Sequence, residues 1–432
     1  MKRNIDIDKF INFKDPESSV LIVEGARQVG KTYFLNDVLA GKDHISIDLE
    51  KEKVFRSRID ETKDFDEFQI LMKTQKGLKD GALLFIDEAQ ESEKLGDYVR
   101  YMKESWRNVK TILTGSSMTK LFRNTARVPV GRVSYVTIHP FSFREFLRFI
   151  EKEAFFDTAS ELFLKKKSLP SFLHHDLLTL FDDYLFCGGM PKSVVAYAKK
   201  DDFSEVLSGL IISQQDDFLR KEPNLSRDLY MRALRGIAGH VGGSSKYTHV
   251  SDNHHSAKKI VEVLKSWLLV LEIEQCGSIE TQAFLPKRYL YDIGVLRHAR
   301  EAAIAKLSVI HTLDEKLRIP MGGLIENFVL IELLRGTSRF HGISSWKKSN
   351  KDNIEVDFIY KKKDQTIPIE VKASVKVHER HFKNLVYYLN EQQISNGILV
   401  SLGNIEQFKL QNKHLINIPA YLFSRDLLEI FK

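Results

Sequence analysis

Hydrophobic and polar positions follow a regular alternation along the first third of this chain. Short apolar runs, typical of buried strands, occupy residues 20–23, 44–49, 82–86, 109–114 and 135–138. Stretches with the spacing of amphipathic helices separate these runs. Strands that alternate with helices in this way predict a parallel sheet covered by helices, so the fold class we expect is α/β.

The pattern changes after this region. From residue 146 to about 223 the apolar spacing is helical, with one interruption at Gly188-Gly189-Met190-Pro191. Short helical segments then lead to a strand-like run at 287–292. Beyond residue 301 the pattern predicts, in order, a helix around Glu326, a hairpin of strands 354–360 and 366–371, another helix, and a final strand at 397–401.

Length and composition set limits on the kind of protein. At 432 residues the chain is too long for one ordinary core, and 43% hydrophobic with 28% charged residues is typical of a globular protein. The formal charge of +7 permits contact with nucleic acid without demanding it. Two cysteines cannot form a disulfide framework. Without an apolar signal segment or spanning run, we expect a cytoplasmic protein with no membrane association.

An eight-residue loop between the first predicted strand and a helical stretch has the pattern G-x-x-x-x-G-K-[ST]. Its members are Gly25, Ala26, Arg27, Gln28, Val29, Gly30, Lys31 and Thr32. Between a strand and a helix, the backbone N–H groups of such a loop converge on phosphate oxygens at the helix N-terminus. Lys31 would neutralise phosphate charge and the Thr32 hydroxyl would hold Mg²⁺, so we expect this loop to bind ATP.

Two carboxylates follow the strand-like run at 82–86. Asp87 ends this strand and would lie beside the phosphate loop, where we expect it to hold the Mg²⁺ shell. Glu88, one residue further on, is positioned to orient and deprotonate the attacking water. The pair lies about 55 residues after the phosphate loop, which makes a catalytic role the favoured interpretation.

Two further positions are candidates for sensing the γ-phosphate. The Ser116 hydroxyl, after the run 109–114, either bonds the water or γ-phosphate or serves, like Ser117, as a helix cap. Arg132 follows Gly131, and its guanidinium either stabilises charge on the phosphoryl group, in cis or across a subunit interface, or faces solvent. The residues alone leave both alternatives open.

Several short runs spread over nearly the whole chain carry a family likeness. They are the phosphate loop, Ile86-Asp87-Glu88-Ala89-Gln90, Thr114-Gly115-Ser116-Ser117, Gly131-Arg132, Pro140-Phe141-Ser142-Phe143-Arg144-Glu145-Phe146, Gly188-Gly189-Met190-Pro191, Tyr289-Leu290-Tyr291-Asp292-Ile293-Gly294, Glu326-Asn327-Phe328, Glu355-Val356-Asp357-Phe358 and Ile369-Glu370-Val371-Lys372. Together these runs resemble a group of prokaryotic AAA+ ATPases that join an AAA module to a winged helix and a C-terminal domain of unknown function. The resemblance implies a P-loop ATPase domain at 1–147, a helical lid at 148–224, a winged helix at 225–300 and a restriction-endonuclease-like α/β domain at 301–432.

The resemblance also gives roles to single residues. It implies that Arg132 is a nucleotide sensor or arginine finger. In related signal-transduction ATPases a proline after the lid packs on the adenine, so Pro191 either does the same or simply breaks a helix. Lys258 and Lys259 stand in the place of a recognition helix and would meet DNA phosphates. Because that run lacks base-reading Arg or Asn, a clamp on the nucleotide domain is favoured, and DNA is a candidate partner.

The C-terminal hairpin carries a second group of candidate residues. Asp357, followed by Glu370-Val371-Lys372 and preceded by Glu326, resembles the Asp…Glu-x-Lys pattern of restriction-endonuclease-like domains. Residues i and i+2 of a strand face the same side, so Glu370 and Lys372 should point together. Carboxylates at 326, 357 and 370 would ligate Mg²⁺, and Lys372 would polarise water or bind the scissile phosphate.

We therefore expect an AAA+ ATPase that acts as an ATP-driven molecular switch, with ATP and Mg²⁺ as cofactors. DNA and further copies of the same chain are candidate partners. Two alternatives stay open, an ATP-gated Mg²⁺-dependent DNA nuclease and a regulatory interaction module with an inactive nuclease-like domain. The predicted catalytic residues are Lys31, Glu88, Ser116 and Arg132 for the ATPase, and Asp357, Glu370 and Lys372 for the nuclease.

Overall fold

The computed structural model describes residues 2–15, 19–106, 108–115, 118–122, 133–278, 284–300, 307, 315–336, 342–362 and 365–428. The chain separates into two compact units. The first unit comprises Met1–His139 with the short segments Ser266–Leu268 and Gly336–Arg339. The second unit comprises Pro140–Lys265, Leu269–Arg335 and Phe340–Lys432.

The first unit is built on a parallel sheet. Its elements are α1 (Asp8–Ile11), β1 (Val20–Glu24), α2 (Lys31–Leu39), β2 (Ile45–Asp48), α3 (Lys53–Glu61), α4 (Phe65–Lys76), β3 (Leu83–Asp87), α5 (Leu95–Ser105), β4 (Lys110–Thr114), α6 (Met118–Leu121) and β5 (Val133–Thr137). Among the described strands the order is β2-β3-β4-β1-β5, and all of these pairs are parallel. The predicted strand runs overlap these five strands, which confirms the parallel sheet.

Burial explains why the central strands read as continuous apolar runs. Every residue of β1, β3 and β4 is buried, as expected for parallel strands that helices cover on both faces. The phosphate loop follows the carboxyl end of β1, and Glu88 follows the carboxyl end of β3. That edge of a parallel α/β sheet is where ligands bind.

The second unit begins with helices and ends with a large mixed sheet. Its elements are α7 (Phe143–Phe149), α8 (Glu153–Leu164), α9 (Ser171–Cys187), α10 (Pro191–Lys199), α11 (Phe203–Lys221), α12 (Arg227–Gly239), α13 (His254–Ser266), β6 (Val270–Ile273), β7 (Gln275–Gly277), β8 (Lys287–Leu290), α14 (Ile293–Arg300), α15 (Glu315–Leu334), β9 (Ile343–Lys347), β10 (Glu355–Lys362), β11 (Gln365–Lys372), α16 (Lys383–Glu391), β12 (Asn396–Ser401), β13 (Glu406–Leu410), β14 (Lys413–Pro419) and α17 (Arg425–Leu428).

A local signal accounts for the start of one of these helices. Helix α7 begins after Ser142, whose hydroxyl accepts the Glu145 N–H while the Glu145 carboxylate accepts the Ser142 N–H.

Helices α12 and α13 are followed by the antiparallel pair β6 and β8 in the segment predicted to be a winged helix. Lys258 and Lys259 are exposed on α13. The winged-helix assignment and its role stay predictions.

The mixed sheet of the second unit has the strand order β13-β14-β12-β11-β10-β9-β7 among the described residues. Strands β10 and β11 form the predicted hairpin, in which Phe358 pairs with Ile369. The register of β10 against β9 shifts between Val356 and Ile359, which marks a bulge next to Asp357. Bulges of this kind turn a side chain away from its regular direction.

The strand predicted at 397–401 is confirmed, but the prediction that it is the final strand is wrong. That run forms β12, but β13 and β14 follow it as an antiparallel pair. Gln411 and Asn412, with φ of 49° and 61°, make the tight turn between them. Strand β13 lies at the sheet edge and keeps Glu406, Gln407 and Lys409 exposed, so it lacks the apolar run that marks an inner strand.

Candidate functional site

Two glycines shape the phosphate loop. Gly25 has a φ of 156°, and a Cβ atom there would lie 2.3 Å from the Ile138 carbonyl oxygen. Gly30 has a φ of 91° and immediately precedes α2. Residues with a side chain rarely adopt either backbone conformation. Glycine is therefore required at both positions for the loop to leave β1 and enter the helix.

The Lys31 ammonium lies across the same loop. It donates to the Gly25 carbonyl at 2.8 Å and to the Ala26 carbonyl at 3.0 Å. Lys31 is also the first residue of α2, where unpaired backbone N–H groups give the helix a positive end. The loop therefore concentrates positive charge and N–H donors in the way that phosphate binding requires.

Thr32 and Asp87 bring two oxygen ligands together from different elements. The Thr32 hydroxyl donates to Asp87 Oδ2 at 2.9 Å, and the Glu88 N–H donates to Asp87 Oδ1 at 2.9 Å. Burial raises the pKa of Asp87, and the hydrogen bond from Thr32 opposes that rise. A hydroxyl beside a carboxylate is the donor set that Mg²⁺ prefers, so these residues fit the ion that accompanies ATP.

Glu88 is held in an unusual backbone conformation. Its φ of 50° lies in the left-handed region, which few residues other than glycine adopt. The Gln90 amide donates to the Glu88 carboxylate. A Cβ atom at Gly115 would lie 1.7 Å from Gln90 Oε1, so any larger residue there would shift this glutamine side chain. Glu88, Gln90 and Gly115 are thus packed as one group, and the role of Gln90 was not predicted from the sequence.

Arg3 supports the loop from outside any motif. Its side chain is buried and donates to the Val29 carbonyl and, at 3.1 Å, to the His139 carbonyl. The contact fixes a carbonyl of the phosphate loop. Nothing in the local sequence around Arg3 marks this role, because its partners lie 26 and 136 positions away.

The roles predicted for Ser116, Arg132 and Pro191 stay predictions, as do those of the phosphate loop, Asp87 and Glu88. Ser116 and Arg132 lie outside the described residues, so their sensor and finger roles remain predictions. Pro191 is the first residue of α10, a position where its missing N–H costs no helical hydrogen bond. A Cβ atom at Gly189 would lie 2.3 Å from the Phe141 carbonyl oxygen, so close packing explains the preceding glycine. An adenine contact by Pro191 remains a prediction.

In the second unit, the predicted C-terminal residues converge with two others on what we name the carboxylate centre. Its members are Lys287, Glu326, Glu355, Asp357, Glu370 and Lys372. Because Phe358 pairs with Ile369, Asp357 lies beside Glu370 across the hairpin. Lys372 Nζ donates to Glu370 Oε1 at 2.6 Å, and the Val371 N–H donates to Asp357 Oδ2 at 2.8 Å.

Lys287 occupies the middle of the carboxylate centre. Its ammonium donates to Glu326 Oε1 at 3.0 Å and to Asp357 Oδ1 at 3.4 Å, and it also contacts Glu355. The Tyr289 hydroxyl donates to the same Glu326 oxygen at 2.7 Å. Lys287 and Glu355 were not predicted as site residues. Strand parity is the signal that could have found them, because Lys287 shares a strand face with Tyr289, and Glu355 with Asp357.

The charges of the carboxylate centre are strongly coupled. Burial and the neighbouring Asp357 raise the pKa of Glu370 to about 8, although Lys372 opposes the shift. Burial likewise raises the pKa of Glu326 to about 7, against the effect of Lys287. Burial disfavours the charge on Lys287, but Glu326 and the other surrounding acidic groups outweigh it and raise the lysine pKa well above its usual range.

Mg²⁺ does not fit the carboxylate centre in this arrangement. The predicted ligands Glu326 and Asp357 both accept from the Lys287 ammonium instead. Over the described part of the chain, three or more His, Cys, Asp or Glu side chains are nowhere grouped so that they could hold a metal ion. The predicted side chains therefore meet, but as an ion-pair cluster.

Comparison with protein families identifies three segments. Residues 17–147 match a model described as an AAA domain, residues 178–306 match a domain of unknown function (DUF8612), and residues 321–421 match another (DUF4143). The phosphate loop, Asp87 and Glu88 all fall within the AAA match. The chain therefore contains an AAA-type, nucleotide-binding ATPase domain.

Two relatives that match nearly the full length of the chain are uncharacterised proteins. The chain is 24% identical to the uncharacterized protein MJ1544 of Methanocaldococcus jannaschii over 96% of this chain and 90% of that protein. It is 24% identical to an uncharacterized protein of Haemophilus influenzae over 96% of this chain and 97% of that protein. Sequences similar to nearly the whole chain therefore occur in an archaeon and a bacterium.

Solved structures resemble this chain only distantly. The Walker-type ATPase PABY2304 of Pyrococcus abyssi is 19% identical, with a TM-score of 0.43 over 68% of this chain and 95% of that chain. The Aeropyrum pernix ORC2 protein, in ADPNP–ADP complexes, is 12% identical, with a TM-score of 0.34 over 67% of this chain and 90% of that chain. The ATPase assignment therefore rests on the AAA match.

Among the described helices, none combines the length and apolar character needed to cross a bilayer.

Proposed function

We propose that this chain is an ATP-driven molecular switch, in which the phosphate loop binds Mg²⁺-ATP and Glu88 activates the water that hydrolyses it. The backbone N–H groups of residues 25–32 and the Lys31 ammonium bind the phosphates. Thr32 and Asp87 would hold Mg²⁺, which when bound neutralises phosphate charge. Glu88 orients the water and accepts its proton.

One observation carries the proposal. The Thr32 hydroxyl and Asp87 carboxylate lie 2.9 Å apart, so the start of α2 and the end of β3 converge on one point. Glu88 follows directly and is held by Gln90, at the edge of the sheet that carries the phosphate loop. A phosphate loop, an oxygen pair suited to Mg²⁺ and a positioned carboxylate are the parts that ATP hydrolysis needs.

Two substitutions separate binding from hydrolysis. Lys31→Ala should abolish ATP binding, because the triphosphate charge is left uncompensated. Glu88→Gln should retain ATP binding but turn over at least ~10²-fold more slowly, because only water activation is lost. Binding is measured with a fluorescent ATP analogue, and turnover by phosphate release.

Matched controls come from exposed residues of the same unit. Lys73→Ala on α4 and Glu61→Gln on α3 remove the same charges at exposed positions and should leave binding and turnover unchanged. If Lys31→Ala and Glu88→Gln instead lost affinity equally, the two roles assigned here would be wrong. Turnover in Glu88→Gln equal to that of the wild type would remove Glu88 from catalysis.

DNA stays a candidate partner of the switch, because Lys258 and Lys259 are exposed on α13 and the chain carries a net charge of +7. One Mg²⁺-ATP reaction with supercoiled plasmid measures turnover and DNA integrity together. A DNA-linked switch should turn over faster with plasmid and leave it intact. Unchanged turnover would exclude DNA as the trigger, whereas nicking that depends on Asp357 would favour the nuclease alternative.

A further inference from the structure

The hydrogen-bonding capacity of Lys287 explains the state of the carboxylate centre. A lysine ammonium has three N–H donors, and Lys287 has three carboxylate partners, Glu326, Glu355 and Asp357. The partners come from helix α15 and strand β10, whereas the lysine comes from β8. Every donor of the ammonium is thus used within the centre.

Several acceptor oxygens of the centre are also engaged. Asp357 Oδ2 accepts the Val371 N–H, and Glu326 Oε1 accepts the Tyr289 hydroxyl in addition to Lys287. Glu370 Oε1 accepts from Lys372, whereas Glu370 Oε2 is buried and has no hydrogen-bond partner among the described residues. A divalent cation would have to displace these donors from carboxylates that they already bind. Displacing Lys287, Tyr289 or the Val371 N–H would leave a buried donor without its partner.

The Lys287 side chain is buried inside the centre. Its side chain is 1% exposed, while its partners Glu326 and Asp357 are 9% and 15% exposed. A buried charge that loses its partners is strongly disfavoured. The ammonium is therefore a fixed part of the centre, in contrast to Lys372, whose side chain is 38% exposed.

We infer that Lys287 is a built-in cation that takes the place of a divalent metal ion in the nuclease-like domain. The carboxylates of α15 and β10 hold this ammonium, and the centre joins β8 to α15 and β10 without binding metal. The domain consequently retains the geometry of a nuclease-like hairpin but does not cleave DNA. This inference concerns the second unit and does not depend on ATP hydrolysis in the first.

The test uses Mn²⁺ as a probe for divalent ions. Nucleotide-free, full-length protein is titrated with Mn²⁺, and bound ion is measured by electron paramagnetic resonance. Wild type and Asp357→Asn should bind Mn²⁺ alike, because the centre holds none. Lys287→Ala removes the ammonium and should gain one Mn²⁺ per chain, at least about tenfold tighter than any ion in the wild type. The double variant Lys287→Ala with Asp357→Asn should lose that ion.

Two results would overturn the inference. One is a wild-type chain that binds an equivalent of Mn²⁺ and loses it in Asp357→Asn, because the centre would then hold a metal beside Lys287. The other is a folded Lys287→Ala variant that gains no Mn²⁺. If Lys287→Ala fails to fold, the comparison of wild type with Asp357→Asn decides alone. Circular dichroism of each variant establishes whether it is folded.

Discussion

Gln90 positions the carboxylate that we assign to water activation. The side-chain nitrogen of Gln90 donates to Glu88, and the side-chain oxygen of Gln90 packs against Gly115. Gln90→Ala should lower kcat by about tenfold and leave KM for ATP nearly unchanged, because Glu88 loses its orientation while the phosphate loop is intact. Steady-state phosphate release over a range of ATP concentrations measures both constants.

A double variant shows whether Gln90 acts through Glu88. If it does, Gln90→Ala should have little further effect once Glu88 is already Gln, because residues that work as a unit are not additive. Independent, multiplying losses would instead mean that Gln90 has a separate role. The matched control is Gln75→Ala at an exposed position of α4, which should leave kcat and KM unchanged.

Contacts between residues were predictable where a motif sets their spacing. The phosphate loop is one run of eight residues, so sequence alone identifies it as a binding loop. Lys287 reaches Glu326 across 39 positions and Asp357 across 70, and Arg3 reaches Val29 across 26. Only the fold brings such residues together, and a lysine or arginine with distant partners resembles any other basic residue in the sequence.

At the scale of elements, Asp292 connects two segments of the second unit. It precedes α14, where Oδ1 accepts the Val295 N–H at 2.9 Å. Oδ2 accepts the Gly189 N–H at 2.8 Å, in the turn before α10. Asp292→Ala should lower the free energy of unfolding by about 2 to 4 kcal/mol, because it leaves two buried N–H groups unsatisfied.

The effect of Asp292 should also depend on pH. Burial raises the pKa of Asp292 from 3.8 to about 6. Between these values the folded state keeps a proton that the unfolded state has released, so the contribution of Asp292 to stability falls as pH rises through this window. Urea denaturation should therefore show a larger difference between wild type and Asp292→Ala at about pH 4.5 than at about pH 7.5. An equal difference at both values would contradict the raised pKa.

Exposed aspartates provide the comparison for that measurement. Asp176→Ala on α9 removes a carboxylate at an exposed position of the same unit and should change stability by less than about 0.5 kcal/mol. A loss as large as that of Asp292→Ala would mean that general charge effects, rather than the two buried hydrogen bonds, account for the result.

Elements were predictable where burial leaves a clear pattern. The buried strands of the first unit read as apolar runs, and the hairpin of β10 and β11 was found from its turn and its alternation. Strand β13 was missed because an edge strand exposes much of its surface to water and so carries polar residues. The bulge beside Asp357 has no local signal either, because it depends on pairing with β9.

At the scale of the whole molecule, each candidate site lies within one unit. The phosphate loop, Asp87 and Glu88 belong to the first unit, and the carboxylate centre belongs to the second. ATP hydrolysis and the state of the carboxylate centre can therefore be perturbed separately. Assembly of several chains needs a separate test. Arg132 is the predicted residue that allows this test, because it is a candidate to act across a subunit interface.

A mixing experiment tests whether Arg132 acts across a subunit interface. Charge that develops on the transferred phosphoryl group needs a donor beyond Lys31, and a partner chain is one source of it. Arg132→Ala keeps Glu88 but lacks the arginine, whereas Glu88→Gln keeps the arginine but lacks the general base. If Arg132 acts in trans in a homo-oligomer, a mixture of the two should hydrolyse ATP faster than the sum of the separate proteins. Wild-type turnover per chain should also rise with protein concentration as the oligomer forms.

The other outcomes assign different roles to Arg132. Activity of the mixture equal to the sum of its parts, together with low turnover in Arg132→Ala, means that the arginine acts within its own chain. Full activity of Arg132→Ala alone makes it a surface charge and removes the argument for an obligatory oligomer. If the arginine acts within its own chain, ATP binding to Arg132→Ala should be unchanged, because the arginine contributes to the transition state rather than to the bound ground state. Loss of ATP affinity in Arg132→Ala would instead place the residue among the groups that bind the nucleotide.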